Sequence, residues 1–381
     1  MKTNIFYSTY KMKIPLCRPS IDSNEIKLVA RSLKSTWLTH GPYNQKFEKL
    51  FNKKFNTKYS IAMNSCTSAL ECAVKALGTK GEIIIPSFTW VSTANAVLNC
   101  GSKPIFADID YKTRNISLKN IKKCFTKRTI ALIVVHFAGL PCDMTEISKF
   151  CKKNNIKIIE DSAETLGAKI HDKFTGTFGT GCFSFFPTKN ITTTEGGMLT
   201  TNDKKIYEYV KKLIAHGIDK NVKKKFWHRV AVLPGHNFRM PNHLAAIGYS
   251  QLKKIDKFNR ARNQIAHLYN SELSKSFYKI DTPYVPKGFS HSYQMYTITV
   301  SSKIRDHLLN FLKKSNIEAS AHFDPPLHSQ NYLKKYYKSK LPITEKLSKE
   351  IITLPIFPDM TKKEVFYVIK MINKFYKINN L

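Results

Sequence analysis

Short apolar runs recur along the first two thirds of the chain, each closed by polar or turn-forming residues. They are Tyr59 to Met63, Glu82 to Pro86, Ile105 to Ile109, Ile130 to His136, Ile156 to Glu160, Cys182 to Phe186 and Met198 to Thr201. Their length and their β-branched and aromatic content predict strands. Between them lie stretches of helical character: Thr67 to Leu77, Val91 to Asn99, Ser117 to Phe125 and Met144 to Asn154. Strands alternating with helices give an α/β fold with a mostly parallel sheet covered on both faces. Ligands of such sheets bind at the carboxyl ends of the strands. From about Asn242 the pattern changes. A long helical stretch runs from Leu244 through Phe258 to Leu273. A strand at Tyr296 to Val300, a helix at Ile304 to Asn316 and a last helix at Lys362 to Tyr376 follow. This predicts a large domain over 14–250 and a smaller C-terminal α+β domain over 251–381. There is no internal repeat and no flexible linker, so the two should pack closely.

Composition narrows the class. A chain of 381 residues with 42% hydrophobic and 12% aromatic residues can bury a sizeable core. The eight cysteines are scattered, with no CxxC pair and no metal-ligand spacing. They predict reduced thiols in a cytoplasmic protein and no metal site. The basic, polar segment Met1 to Lys13 lacks the apolar core of a signal peptide. The longest apolar stretch, near Ile130 to Leu140, is too short to span a bilayer and contains His136. The net charge of +35 comes from 62 basic and 27 acidic residues. Apart from short clusters such as Lys223-Lys224-Lys225 and Lys334 to Lys340, it is spread along the chain. A diffuse basic surface suits an anionic small substrate better than specific nucleic-acid binding.

The chemistry centres on Lys189. It sits in Phe183-Ser184-Phe185-Phe186-Pro187-Thr188-Lys189-Asn190, ahead of Glu195-Gly196-Gly197-Met198. Upstream, the run Ile156 to Ile159 ends in Glu160-Asp161-Ser162-Ala163. A lone lysine is most simply a solvated surface residue, and a lone strand-end aspartate is most simply a turn cap. Together, a strand-end carboxylate and a lysine in an apolar, Ser/Thr-rich turn are what pyridoxal phosphate chemistry needs. The amine forms a Schiff base with the cofactor aldehyde, and the carboxylate keeps the pyridine nitrogen protonated. Glu164 follows Asp161 by three residues and points roughly the same way if a helical turn intervenes. The turn Asn64 to Leu70 follows a strand and opens a helix, so its amides, with Thr67 and Ser68, form an anion site or an ordinary cap. Ser184 is a second phosphate candidate. Trp90, at a strand-to-helix turn, stacks on a planar ring or fills the core.

These segments resemble the DegT/DnrJ/StrS family of sugar aminotransferases, which are fold-type I, aspartate-aminotransferase-like enzymes. The resemblance covers nearly the whole chain. It includes Pro15 to Pro19, Thr36 to Pro42, Asn64 to Leu70, Pro86 to Asn95, Glu160 to Ala163 and Phe183 to Met198. It continues through Gly235 to Met240, Pro325 to His328 and Leu354 to Pro358. It implies that Lys189 is the Schiff-base lysine and proton shuttle and that Asp161 partners the pyridine nitrogen. It implies that Trp90 stacks on the ring and that Thr67, Ser68 and Ser184 bind the phosphate. Asn237 resembles a residue donated by the neighbouring subunit, which implies a homodimer with shared sites. His328, Arg239 and the loop around Trp37 are placed near the substrate. The implied reaction moves an amino group from glutamate to a nucleotide-linked 4-keto-6-deoxy sugar, giving an amino sugar for a glycan. Cys66 and Thr194 stand where the family commonly has glycine, and Glu164 where many members have Gln or His. Glu at that position leans towards amination at C4. The alternatives are amination at C3, a sugar dehydratase, against which Lys189 argues because those enzymes carry His there, and a non-enzymatic binding protein that retains the fold.

Overall fold

The computed structural model describes residues 12–219, 221–222, 225–275, 278–337 and 340–380. Most of the basic N-terminal segment, and Lys223, Lys224, Lys338 and Ser339 of the two basic clusters, lie outside those residues.

Two helices open the fold, α1 (Ser23–Lys34) and α2 (Pro42–Phe55). Then come β1 (Tyr59–Met63), α3 (Cys66–Lys75), β2 (Glu82–Pro86), α4 (Val91–Asn99) and β3 (Lys103–Ala107). Next are α5 (Leu118–Cys124), β4 (Thr129–Val135), α6 (Met144–Lys153) and β5 (Lys157–Asp161). The two-residue strands β6 (Lys169–Ile170) and β7 (Lys173–Phe174) lead to β8 (Thr180–Ser184), β9 (Gly197–Thr201) and α7 (Lys204–Leu213). Seven strands form the central sheet in the order β1-β9-β8-β5-β4-β2-β3. Only β9 runs against the rest, being antiparallel to both β1 and β8. The predicted strands and helices are found with ends that match or shift by one or two residues. The sequence reading did not single out α1, α2 or α7.

Both faces are covered, as a parallel sheet requires. Ile83, Ile85, Ile133 and Leu199 pack on α3, α4 and α7, while Ile84, Leu132 and Val134 pack on α5 and α6. The β9–β8 end is capped by an aromatic cluster of Phe47, Phe51, Phe55, Phe183 and Phe185. Each buried phenylalanine stabilises by roughly 2–3 kcal/mol, and Phe185 anchors the turn that carries Lys189.

The helix α8 (Asn242–Leu273) is 32 residues long. Its first half, through Ala245, Ala246, Leu252 and Ile255, packs on that aromatic cluster. Its second half, through Ala266, Tyr269 and Leu273, packs in another core with Ile298, Ile352 and Val368. Residues 250 and 251, where the sequence reading divides the domains, lie inside this helix. Ile14 packs in the second core. That core is built on β11 (Tyr296–Thr299), α9 (Ser302–Lys314), β12 (Ile351–Leu354) and α11 (Lys362–Ile378); β10 (Phe289–Ser290, paired with β6) and α10 (Pro342–Glu350) pack in other clusters. The strands β11 and β12 pair antiparallel. All eight cysteines are free. Among the described residues, no helix is long and apolar enough to cross a membrane, and no group of three His, Cys, Asp or Glu side chains could hold a metal.

Candidate active site

The carboxyl ends of β1, β2, β4, β5 and β8 open onto one cavity of about 390 Å³, closed on the far side by residues of the second core. Its walls bring together Asp161, Glu164, Lys189, Thr67, Trp90 and Ser184 of the predicted site.

Asp161 is the last residue of β5. It is 6% exposed, and its carboxylate accepts from Thr93 Oγ1 at 2.9 Å and from Ala163 N at 3.3 Å. Burial pushes its carboxyl above the ordinary value, against the opposing pull of those two hydrogen bonds. A buried carboxylate supplied by two neutral donors is short of a cation. Lys189 lies in the turn between β8 and β9. The turn is closed by Phe185 N to Gly196 O at 2.9 Å, Thr193 N to Phe185 O at 2.9 Å and Lys189 N to Phe186 O at 2.9 Å. Lys189 Nζ lies 3.4 Å from Glu164 Oε1, and Glu164 Oε2 accepts from Ala138 N at 2.7 Å. The expected helical-turn geometry thus brings Asp161 and Glu164 to the same cavity.

At the other end stands the N-terminus of α3. Ser65 caps it, its Oγ accepting from Ser68 N at 3.1 Å. Ser68 Oγ donates to Asn64 Oδ1 at 2.7 Å and lies in the cap rather than on the cavity wall. Ser65, which sequence reasoning passed over, takes the wall position. Thr67 Oγ1 donates to Ser92 Oγ at 2.9 Å. The turn approaches β9 closely: a Cβ on Gly197 would fall 2.4 Å from Ser65 C and O. Trp90 caps α4 and is 62% exposed, so one face is free to cover a planar ring. The small-domain wall adds Gln294, Phe323 and His322, whose Nδ1 lies 2.8 Å from Thr353 Oγ1. Burial pulls the His322 imidazole below its ordinary value. Nothing local in the sequence marks these three. Ser65, by contrast, was legible as the cap position ahead of α3.

Besides Ser68, four predicted residues stand off the wall. His328 is buried, with Nδ1 2.6 Å from Ser87 Oγ and Nε2 3.3 Å from Glu345 Oε1. Asn237 and Arg239 touch each other at 3.3 Å on an exposed segment. Trp37 is 57% exposed and donates to His40 O at 2.9 Å.

The cavity fits pyridoxal phosphate in its donor set. A buried carboxylate short of a cation faces a lysine across the cavity, an aromatic face flanks it, and an N-terminal helix cradle for a phosphate lies at one end. Over residues 19–373 the chain matches the DegT/DnrJ/EryC1/StrS aminotransferase family. The GDP-perosamine synthase of Escherichia coli O157:H7 is 37% identical over 368 residues, covering 95% of this chain and 98% of that protein. Helicobacter pylori PseC, an aminotransferase involved in the biosynthesis of pseudoaminic acid, superposes with a TM-score of 0.91 at 28% identity, covering 96% of this chain and 100% of that one. Streptococcus pneumoniae Spr1654, solved in a pyridoxal phosphate form, superposes at 0.90 with 25% identity, covering 96% of this chain and 99% of that one. The chain therefore belongs to the DegT/DnrJ/EryC1/StrS aminotransferase family, as a pyridoxal-phosphate-dependent aminotransferase of fold type I.

Proposed function

We propose that this aminotransferase moves an amino group from glutamate to a nucleotide-linked 4-keto-6-deoxy sugar, giving an amino sugar for glycan synthesis. The observation that carries the site assignment is the buried, under-supplied Asp161 facing the Lys189–Glu164 pair in one cavity. Similarity to a GDP-perosamine synthase supports the substrate class, and Glu164 favours C4.

The bound cofactor supplies an electron-accepting ring that stabilises negative charge at the reacting carbon. The Asp161 carboxylate would hold its ring nitrogen, with Thr93 fixing the carboxylate's orientation by donating to Oδ2. Ser65, Thr67, Ser184 and the α3 amides hold the phosphate. Trp90 covers one ring face and excludes water from it. Lys189 Nζ carries the proton to and from the reacting carbon as general acid and base. Glu164, 3.4 Å away, receives that amine when it is charged. The basic surface draws the anionic diphosphate towards the cavity mouth. Asn237 would complete the site of a partner subunit in a homodimer, and Arg239, 3.3 Å from it, would bind the anionic part of the substrate. His328 acts from behind, bracing the Ser87 end of β2.

The test is an absorbance spectrum of the protein with added pyridoxal phosphate, before and after glutamate, for wild type and Lys189→Ala. A yellow wild type that bleaches with glutamate, beside a variant lacking the lysine-bound band, supports the reading. Candidate 4-keto and 3-keto sugar nucleotides are then screened for return of colour. A wild type that takes up no cofactor sinks it.

A further inference from the structure

Lys189 and Glu164 belong to turns after different strands, and neither sits in a regular element. Their 3.4 Å separation therefore needs a tie between the turns. Asn190, next to the lysine, is 3% exposed, and its Nδ2 donates to Asn259 Oδ1 at 2.8 Å and to Ser292 O at 3.0 Å. Each of these partners reaches the other turn. Asn259, on α8, donates through Nδ2 to Leu166 O at 2.9 Å. Ser292 Oγ donates to Glu164 O at 3.1 Å. Two hydrogen-bonded bridges thus run from the residue after the lysine to the segment carrying the glutamate. Gly167 permits the first. Its φ is +87°, and a Cβ there would lie 2.7 Å from Asn259 Nδ2. None of Asn190, Asn259 or Ser292 lines the cavity.

We propose that Asn190 is a positioning residue which, through Asn259 and Ser292, sets the separation between the Lys189 amine and the Glu164 carboxylate. The inference rests on Lys189 being the cofactor-bearing lysine. A nearby carboxylate favours the protonated nitrogen, and a misplacement of about 1 Å at a reacting group lowers rates by up to about 10²-fold. The clasp therefore governs both the ionisation and the aim of the lysine. The other ionisable groups acting on Lys189, namely Asp161, Cys17, Cys66 and His322, make none of the clasp's hydrogen bonds.

The experiment titrates the visible band of the lysine-bound cofactor in wild type, Asn190→Ala, Asn259→Leu and Ser292→Ala, with Lys189→Ala as the bandless control. The association rate of pyridoxal phosphate with each apo protein and the apo melting temperature are measured alongside. Asn190→Ala, which cuts both bridges, lowers the titration midpoint and the association rate. It reduces kcat by roughly 10-fold or more while KM for glutamate holds within about twofold. Asn259→Leu and Ser292→Ala, which cut one bridge each, move the same quantities the same way by less. If Asn190→Ala does not fold, the two single-bridge variants carry the test. An unmoved midpoint beside a lowered melting temperature makes the clasp structural and overturns the proposal. A wild type without the band removes the Lys189 reading itself, whereas a banded wild type with unmoved variants removes only the clasp.

Discussion

Two neighbouring carboxylates close β5 and point to opposite faces of the sheet, as successive strand residues must. Glu160 is fully buried and fully supplied. It accepts from Gly176 N at 2.8 Å, Phe178 N at 2.7 Å and Gly179 N at 2.8 Å, and pairs with His136 Nε2 at 3.1 Å. His136 Nδ1 accepts from Cys142 N at 2.9 Å, so its proton sits on Nε2 and is donated to Glu160. Asp161 is nearly as dark to solvent yet has only Thr93 and Ala163 as donors. Burial does not separate the structural acid from the working one. Supply does: Glu160 is complete within the fold, and Asp161 faces a cavity with acceptor capacity left over.

The comparison breaks most sharply through substitution on the Asp161 side. Lys189→Ala lowers kcat by about 10²–10⁴-fold, and Asp161→Asn by about 10²–10³-fold, both in single-turnover assays with glutamate. Neither lowers the melting temperature of the apo protein. Glu160→Ala does the reverse. It strands His136 and three backbone amides, costs roughly 3–5 kcal/mol, and leaves little folded protein by circular dichroism.

Linkage sharpens the contrast. Burial raises the folded pKa of Asp161, so the folded apo state holds that proton more tightly than the unfolded chain. Stability from this group is present below the unfolded carboxyl value of about 3.9 and is lost as pH rises through the folded value. Apo Asp161→Asn therefore melts higher than apo wild type at pH 7, and the gap closes as pH falls towards 4. A constant gap across that range in a thermal-shift series contradicts the assignment. A milder change, Thr93→Val, removes one donor from Asp161 and lowers kcat by about 10-fold, a smaller loss than Asp161→Asn.

How much of this was legible beforehand depends on what each residue's position rests on. Asp161 and Ser184 end strands, and Thr67, Trp90 and Lys189 follow strand ends by four or five residues. The alternation of apolar runs fixes strand ends, so one cavity wall could be read from pattern. Glu164 followed from Asp161 by spacing. The opposite wall, Gln294, His322 and Phe323, comes from more than a hundred residues further along the chain, with Phe323 packed on Phe88 and Phe137. No local signal encodes that. Ser68 was misjudged for a different reason. In S-x-x-S at a helix start the two serines bond each other: Ser65 caps the helix and also reaches the cavity, while the Ser68 hydroxyl is taken up by Asn64. The pattern also missed α1, which packs on α8, and α2, whose apolar face meets both α8 and the β1–β9–β8 part of the sheet.

A third carboxylate tests the rule at its smallest effect. Glu48, on α2, accepts from Ala62 N at 2.8 Å and has His40 Nε2 at 3.9 Å, but it opens onto no cavity. Burial pushes its carboxyl up to about 7, the Ala62 amide and Lys211 only partly opposing this. Its folded pKa is thus raised above the unfolded value, so its contribution is favourable at acid pH and is lost as pH rises through about 7. Unlike Asp161 in the proposed reading, Glu48 takes its opposing charge from Lys211 and not from a cofactor. Glu48→Gln keeps an acceptor for the Ala62 amide and removes the charge. It should raise the melting temperature by a few degrees at pH 8 and leave it unchanged at about pH 4, below the unfolded glutamate value, in apo and cofactor-loaded protein alike, with kcat unaltered. For Asp161→Asn the gain is confined to the apo protein. That difference in cofactor dependence, measured by calorimetry on both forms, distinguishes an acid that awaits a ligand from one that is merely buried.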